Sequence, residues 1–210
     1  MADPTRISTL LQTAAEPLGS QIGVTDDQLV SRNHELSEEV TRLRLRVLEL
    51  EAAADMDPML PIFNRRAFMR EVGRAQSMAS RYGLMASVIF IDLDGFKQIN
   101  DRFGHGIGDE ILDRVAKCLT SGVRQCDIVA RLGGDEFGVL LFKSDLTVAK
   151  AKAGALCCRI GNIALDHPDG SIRIGASWGA APCEPGQTVA KILERADRAM
   201  YLDKRSNGAS

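Results

Sequence analysis

Ile89-Phe90-Ile91-Asp92-Leu93-Asp94-Gly95-Phe96 closes an apolar run that begins at Leu84. The run is rich in Val and Ile, which is the composition of a strand covered on both faces. Side chains alternate along a strand, so Asp92 and Asp94 fall on the same side of its apolar end. A buried, unpaired carboxylate costs several kcal/mol and is normally paired or bound to a metal. Asp94 has a second reading, as the cap of a helix that begins near Phe96. Asp92 has none.

Working outward, Arg131-Leu132-Gly133-Gly134-Asp135-Glu136-Phe137 reads as a tight turn between two apolar strands, Asp127 to Leu132 and Phe137 to Phe142. Taken by itself, Gly-Gly-Asp is ordinary β-turn chemistry. Periodic helices are predicted over Arg65 to Arg81, Asp109 to Leu119, Thr147 to Ile163 and Val189 to Lys204, with a last strand from Ile172 to Ala181. Helices alternating with strands around an antiparallel hairpin place the chain in the α+β, or mixed α/β, class: a central sheet flanked by helices.

A different pattern precedes that domain. From Ile22 a seven-residue register carries Ile22, Leu29, Leu36, Leu43 and Leu50 at d, and Asn33, Val40, Val47 and Ala54 at a. This is the seam of a parallel two-stranded coiled coil, with Asn33 fixing register and Asp26 marking a frayed start. Across such a dimer Glu39 would face Arg44, and Arg46 would face Glu51. A lone amphipathic helix is the alternative, kept open by Leu45 and Leu48 off the seam. The organisation is therefore an N-terminal segment 1–21 with room for a short helix, a coiled-coil dimerisation stalk 22–56, and a domain 57–210.

Composition bounds the function. Of 210 residues, 45% are hydrophobic and 26% charged, which excludes general disorder. No apolar run reaches the length of a membrane span and no secretory leader is present, so a cytoplasmic protein without membrane contact is expected. Residues 1–56 carry 5 Lys/Arg against 10 Asp/Glu, and residues 57–210 carry 21 against 18. The resulting excess of +3 is not the footprint of a duplex-binding domain, so no nucleic-acid partner is expected; it suits a small polyanion. The five cysteines (118, 126, 157, 158, 183) show no Cys-x-x-Cys pair and read as buried free thiols.

Together, Asp92, Asp135 and Glu136 on adjacent strand ends make a hard oxygen site suited to Mg²⁺ or Mn²⁺. Gly95 then opens a helix at Phe96-Lys97, whose free amides favour phosphate beside that metal, with Lys97 as an added charge. Metal, helix N-terminus and lysine describe nucleotidyl transfer.

At Gly133-Gly134-Asp135-Glu136-Phe137 the chain resembles the GGDEF family of diguanylate cyclases. The resemblance covers roughly Asp57 to Asn207. It includes Asn64-Arg65-Arg66, Asp92 to Asp101, Phe103-Gly104-His105-Gly106-Ile107-Gly108-Asp109, Ser177-Trp178-Gly179, and Ala196-Asp197 through Tyr201 and Lys204. It implies a palm-like fold and condensation of two GTP into cyclic di-GMP with release of pyrophosphate. By the same resemblance, Asp92, the Leu93 carbonyl and Asp135 would hold divalent metal. Glu136 would be a further ligand or would help deprotonate the attacking 3′-hydroxyl. Asn100 and Asp109 match guanine readers, Lys97 and Lys204 would touch phosphate, and His105 carries little catalytic weight. Arg124-Gln125-Cys126-Asp127 matches the family's Arg-x-x-Asp site for inhibition by product, with Asp127 accepting from guanine or orienting an arginine.

Two departures stand out. The family's Asp-x-Leu-Thr-Gly-Leu is Asp57-Pro58-Met59-Leu60-Pro61-Ile62 here, and the Gly-Arg-Asn that often follows Lys204 is replaced, leaving Arg205 as the substitute. Besides an active cyclase, two other roles fit the pattern: a catalytically idle receptor for cyclic di-GMP, and a scaffold whose stalk recruits a partner. Intact Asp92, Asp135, Glu136, Asn100 and Asp109 argue against the idle receptor.

Overall fold

The computed structural model describes residues 26–168 and 170–206. The expected segment 1–21, the heptad start at Ile22 and residues 207–210 lie outside them, as do the side chains of residues 48–53 and so those of Leu48, Leu50 and Glu51. The chain divides into two units, Met1–Glu51 and Ala52–Ser210.

The first unit contributes most of helix α1, Asp26–Asp55. Asp26 and Asp27 open it, acids that favour the positive end of the helix dipole. Leu29, Leu36, Val40, Leu43 and Val47 of the heptad seam are 44–52% exposed, and Leu45 beside it is exposed too. Glu39 is held by Arg42 of its own helix at 2.6 Å, where the heptad reading gives it to Arg44 of a second chain.

The second unit is built on five strands in the order β1-β3-β4-β2-β7. Strand β1 (Phe63–Asn64) runs parallel to β3 (Ile128–Gly133), and every other pairing, with β4 (Glu136–Phe142), β2 (Ala86–Asp94) and β7 (Gly175–Pro182), is antiparallel. On one face, Val88, Ala130 and Leu140 pack with Phe68, Val72 and Ala75 of α2 (Arg65–Tyr82) and Ile192 and Ala196 of α6 (Val189–Ser206). On the other, Ile89, Ile91, Leu93, Phe137 and Val139 pack with Ile111, Leu112 and Val115 of α4 (His105–Ser121) and Ala153 and Leu156 of α5 (Leu146–Gly161). Because β2 alternates, Asp92 and Asp94 share the α2/α6 face with Val88.

The mixed fold is thus as expected, with three differences. Helix α4 begins at His105, so Asp109 lies inside it; Gly104, at φ +83°, joins it to α3 (Phe96–Phe103). The expected strand Ile172 to Ala181 is split: Gly170–Arg173 is β6, which pairs with β5 (Ala164–His167) as a separate hairpin before β7. Strand β1 is too short, at two residues, to show any periodicity. All five cysteines are free, but only Cys183 is buried; Cys118 and Cys157 are half-buried, and Cys126 and Cys158 exposed. Burial pushes the Cys183 thiol up to about 11 and the Cys157 thiol up to about 12, which keeps both inert.

The start of this unit is tied down by polar contacts. Asn64 caps α2 by accepting from the Ala67 N–H at 3.0 Å, while its amide donates to the carbonyls of Ala54 and Met56. Asp55, 7% exposed, takes a forked pair of bonds from Arg70 (2.9 and 2.6 Å) and one from Arg66 (3.1 Å). These arginines hold its carboxyl below the usual range. The turn at Asp57-Pro58-Met59-Leu60-Pro61-Ile62 closes despite its unusual sequence: Asp57 Oδ1 accepts from Met59 and Leu60 N–H, and Leu60 and Ile62 are buried.

Candidate active site

Three strands bring the acids together. In register, Asp92 of β2 stands opposite Glu136 of β4 on one side and Ser177 of β7 on the other. The Leu93 N–H donates to the Asp135 carbonyl at 3.2 Å, which locks the Gly133-Gly134-Asp135 turn onto the end of β2. Asp92, Leu93, Asp135 and Glu136 therefore converge at one sheet end. Burial first, then the charges of Asp92 and Asp135, raises the Glu136 carboxyl above its ordinary range; Arg65 opposes this.

Asp94 does not cap the following helix. Gly95, at φ +72°, takes the cap position of α3 with no side-chain bond, and Asp94 instead accepts from the Ser177 hydroxyl at 2.8 Å. Its partner comes from the neighbouring strand β7, whose Ser177 pairs in register with Asp92 two residues before. Burial raises its carboxyl, while Ser177 and Lys204 pull it down.

Helix α6 supplies the counter-charge. Lys204 Nζ lies 2.6 Å from Asp92 Oδ1, and its neighbour Asp203 accepts from the Trp178 N–H at 3.1 Å. This docking needs a glycine at 179, because a Cβ there would overlap the α6 backbone at Ala196 and Met200. The motif Ser177-Trp178-Gly179 thus has three separate uses: a hydroxyl for Asp94, an amide for Asp203, and close approach of α6. Arg205 does not turn toward the acids; its guanidinium lies over the Tyr201 ring at 5.9 Å.

Two residues of the turn's surroundings carry more than the sequence reading assigned them. Arg131 donates twice to the Gly134 carbonyl, at 2.9 and 2.8 Å, and stands 3.6 Å from Asp57, so it braces the acidic turn. Arg65 donates to the Leu132 carbonyl at 3.4 Å. Arginine flanking a tight acidic turn was the available signal; its partner, a carbonyl, leaves no mark on a sequence. Beside Glu136 on the α2/α6 face is a cavity of about 320 Å³, lined by Arg65, Met69, Phe90, Leu132 and Asp197 among others.

The remaining candidates lie elsewhere on the unit. Lys97 is exposed in the first turn of α3, after Gly95 and the buried Phe96. Asn100 in α3 and the exposed Asp109 in α4 flank the corner at Gly104, and the exposed His105 opens α4. Arg124 and Asp127 precede β3, whose rise separates Asp127 from Gly133 by about 20 Å. The Arg124 side chain is exposed, whereas the Asp127 carboxylate is committed to backbone: Oδ2 accepts from the Arg124 N–H and Oδ1 from the Phe142 N–H. Its role in the structure is to fix the turn that presents Arg124.

The acidic end suits a hard cation in its chemistry. Asp92 and Glu136 are oxygen donors facing each other across a strand pair, and burial first, then the charges of Asp92 and Asp135, makes ionising Glu136 costly, a cost that a divalent ion would relieve. Among the described residues no three His, Cys, Asp or Glu side chains form a ready cage. The expected three-carboxylate site of Asp92, Asp135 and Glu136 is therefore not assembled as a cage here; Mg²⁺ is usually held by one or two carboxylates, with substrate phosphates completing the shell.

Residues 54–210 match the family model described as diguanylate cyclase, GGDEF domain. Diguanylate cyclase DosC of Escherichia coli K12 is 34% identical over 186 residues, covering 88% of this chain and 38% of its own length. Diguanylate cyclase TpbB of Pseudomonas aeruginosa UCBPP-PA14 is 34% identical over 195 residues, 89% of this chain and 42% of its own. The chain thus spans about two-fifths of these relatives. Among solved structures, the coiled coil and GGDEF domain of DgcB from Caulobacter crescentus, in complex with c-di-GMP, aligns with TM-score 0.73 and 28% identity over 85% of this chain and 95% of that one. Diguanylate cyclase SiaD of Pseudomonas aeruginosa, with its activator SiaC, aligns at 0.69 and 26% over 96% and 79%.

Proposed function

Because the chain belongs to the GGDEF family of diguanylate cyclases, we propose that it joins two GTP molecules into cyclic di-GMP with release of two pyrophosphates. The observation that carries this reading is the register of Asp92 against Glu136 beside the turn at Asp135, on the sheet end from which α3 departs. In each half-reaction the 3′-oxygen of one GTP attacks the α-phosphorus of the other. A P–O bond forms, the α–β bridge breaks, the 3′-proton leaves to a base, and pyrophosphate departs.

Glu136 is a further metal ligand or the base in this proposal. Its raised carboxyl is nearer to neutrality than a free glutamate and so better matched to accept a proton. Asp92, the Leu93 carbonyl, Asp135 and Glu136 would hold Mg²⁺ or Mn²⁺, which when bound neutralises phosphate charge and polarises the 3′-hydroxyl. Lys204, now on Asp92, is within one side-chain swing of phosphates placed there, and Lys97 lines the amide end of α3. Asn100 and Asp109 read guanine.

One domain holds one GTP, so the reaction requires two domains face to face, and the exposed seam of α1 supports a parallel homodimer as the means. Product, bound at Arg124, inhibits. No helix among the described residues is long and apolar enough to cross a membrane, and the proposal includes a cytoplasmic location, where GTP is supplied. Incubating the purified chain with GTP and Mg²⁺ and identifying products by mass tests the reading. Cyclic di-GMP and pyrophosphate are expected; binding of cyclic di-GMP without turnover would instead support the idle receptor.

A further inference from the structure

At the corner between α3 and α4 the Gly104 N–H donates to the Asn100 carbonyl at 2.9 Å and the Gly108 N–H to the Gly104 carbonyl at 3.4 Å. This tight return lays the Asn100 side chain against Gly108, which is buried in the second turn of α4. A Cβ on Gly108 would overlap Asn100 Oδ1, stand 2.9 Å from its Cγ and 3.2 Å from Phe96 Cζ. Asn100 Oδ1 is itself buried and has no hydrogen-bond partner. Buried acceptors are nearly always paired, and an orphan is costly unless something else supplies the donor.

We propose that Gly108 is a positioning residue for purine recognition: the space left by its missing side chain is the seat of the Asn100 amide. The inference rests on the reading of Asn100 as a guanine reader. In this seat the oxygen is closed to solvent, so a ligand donor reaches it only as the base edge closes over the corner; guanine offers N1–H and N2–H there, where adenine offers no N2 amino group. A side chain at 108 displaces the amide, because its first atom would overlap Asn100 Oδ1 and press on Cγ, and the end of the asparagine side chain is the part free to turn away. Local backbone preference works the other way, since alanine favours a helix interior over glycine. An alanine at 108 therefore harms the seat without harming the helix.

Gly106 provides the internal control. It sits in the same helix, and a Cβ there meets nothing within 4 Å. The experiment measures initial rates of the full chain against GTP and ATP for wild type, Gly106→Ala, Gly108→Ala, Asn100→Ala and the Asn100→Ala/Gly108→Ala double variant. Calorimetric binding of a non-hydrolysable GTP analogue and melting curves accompany the rates. Gly108→Ala should raise KM for GTP at least tenfold, narrow the preference for GTP over ATP, and keep kcat at saturation within about threefold. Gly106→Ala should match wild type. In the Asn100→Ala background, Gly108→Ala should add less than twofold, because the atom it overlaps is gone.

A normal KM in Asn100→Ala would remove the guanine-reading premise. A raised KM in Asn100→Ala with a normal one in Gly108→Ala would leave that premise standing and overturn the seat. An undiminished effect of Gly108→Ala in the double variant would also overturn it, since the alanine would then act through Phe96 or another neighbour.

Discussion

Lys204 Nζ stands 2.6 Å from Asp92 Oδ1, a contact between residues 112 positions apart that joins the last turns of α6 to the acidic end of β2. Asp92 reinforces the charge on Lys204, raising the ammonium above its ordinary range. The lysine offsets one of the carboxylates that would otherwise repel one another and an incoming triphosphate.

Lys204→Gln should therefore weaken the proposed reaction at the substrate step. A hydrogen bond to a charged group contributes about 1.5–3 kcal/mol, so kcat/KM for GTP should fall roughly 10- to 150-fold. Circular dichroism should be unchanged, because α6 is held independently by Gly179 and by the Asp203–Trp178 bond. Steady-state kinetics with unchanged kcat/KM would count against a role for Lys204 at phosphate.

Glu136→Gln separates activity from stability. Loss of a positioned base costs about 10²–10⁴-fold in rate, and Asp92→Asn should be similarly inactive. Stability should move in the opposite direction. The folded Glu136 carboxyl is raised by burial and by Asp92 and Asp135, so ionising it opposes folding. That penalty is absent below the unfolded value, near pH 4.3, and complete once pH exceeds the raised folded value. In metal-free buffer, Glu136→Gln should melt higher than wild type at pH 7 and converge with it toward pH 4.

Asp55 has the reverse sign. Arg70 and Arg66 depress its carboxyl, so its contribution is complete above the unfolded value, near pH 3.9, and is lost as pH falls through the lower folded value. Both arginines are substantially exposed, which discounts the pair to on the order of 1 kcal/mol. Urea titration should show Asp55→Asn less stable by that amount at pH 7, with the gap shrinking below about pH 4.

What the sequence made legible was local in its physics. Strand alternation placed Asp92 on a covered strand, and the Gly133-Gly134 turn placed Asp135 and Glu136 beside it, because both features act over a few residues. Asp94 shows where such reasoning stops: its cap geometry was plausible from neighbours alone, but its partner Ser177 is 83 positions away. The Lys204–Asp92 pair was out of reach for the same reason, whereas the Arg131 brace and the β5–β6 hairpin are local: the brace acts through a carbonyl three residues away, which leaves no mark on a sequence, and the hairpin takes up the start of what read as one strand. Gly108 was quoted as part of a motif, yet only the position of Asn100 Oδ1 gives its missing side chain a purpose.

Arg124 tests the inhibitory reading, and the structure dictates which residue to change. Asp127 holds two backbone N–H groups, so its removal would loosen the turn and the start of β3. Arg124 presents a free-standing planar fork suited to guanine O6 and N7. Arg124→Ala should keep the initial rate within about twofold while losing inhibition by added cyclic di-GMP. Wild type should be inhibited at every GTP concentration, since the site is remote from Glu136. Inhibition that vanishes at high GTP, or that is equal in both proteins, would reject a separate product site.

The seam of α1 sets the last expectation. Leu29, Leu36, Val40, Leu43 and Val47 leave about half of each side chain in water in the single chain, and fully burying such a residue is worth about 1.5–3 kcal/mol. A second copy in parallel register would cover all five at once, and Asn33 at an a position would disfavour other registers. Removing residues 1–51 leaves the unit Ala52–Ser210 whole, including Asp55 and its arginines. That fragment should be monomeric by light scattering. Its specific activity should be well below that of the full chain at the same low concentration and should rise in proportion to concentration, because the productive encounter becomes bimolecular. Full-chain activity per domain should stay flat over the same range. A fragment that remains monomeric and fully active at low concentration would show that the stalk does not serve the meeting of two GTP-bearing domains.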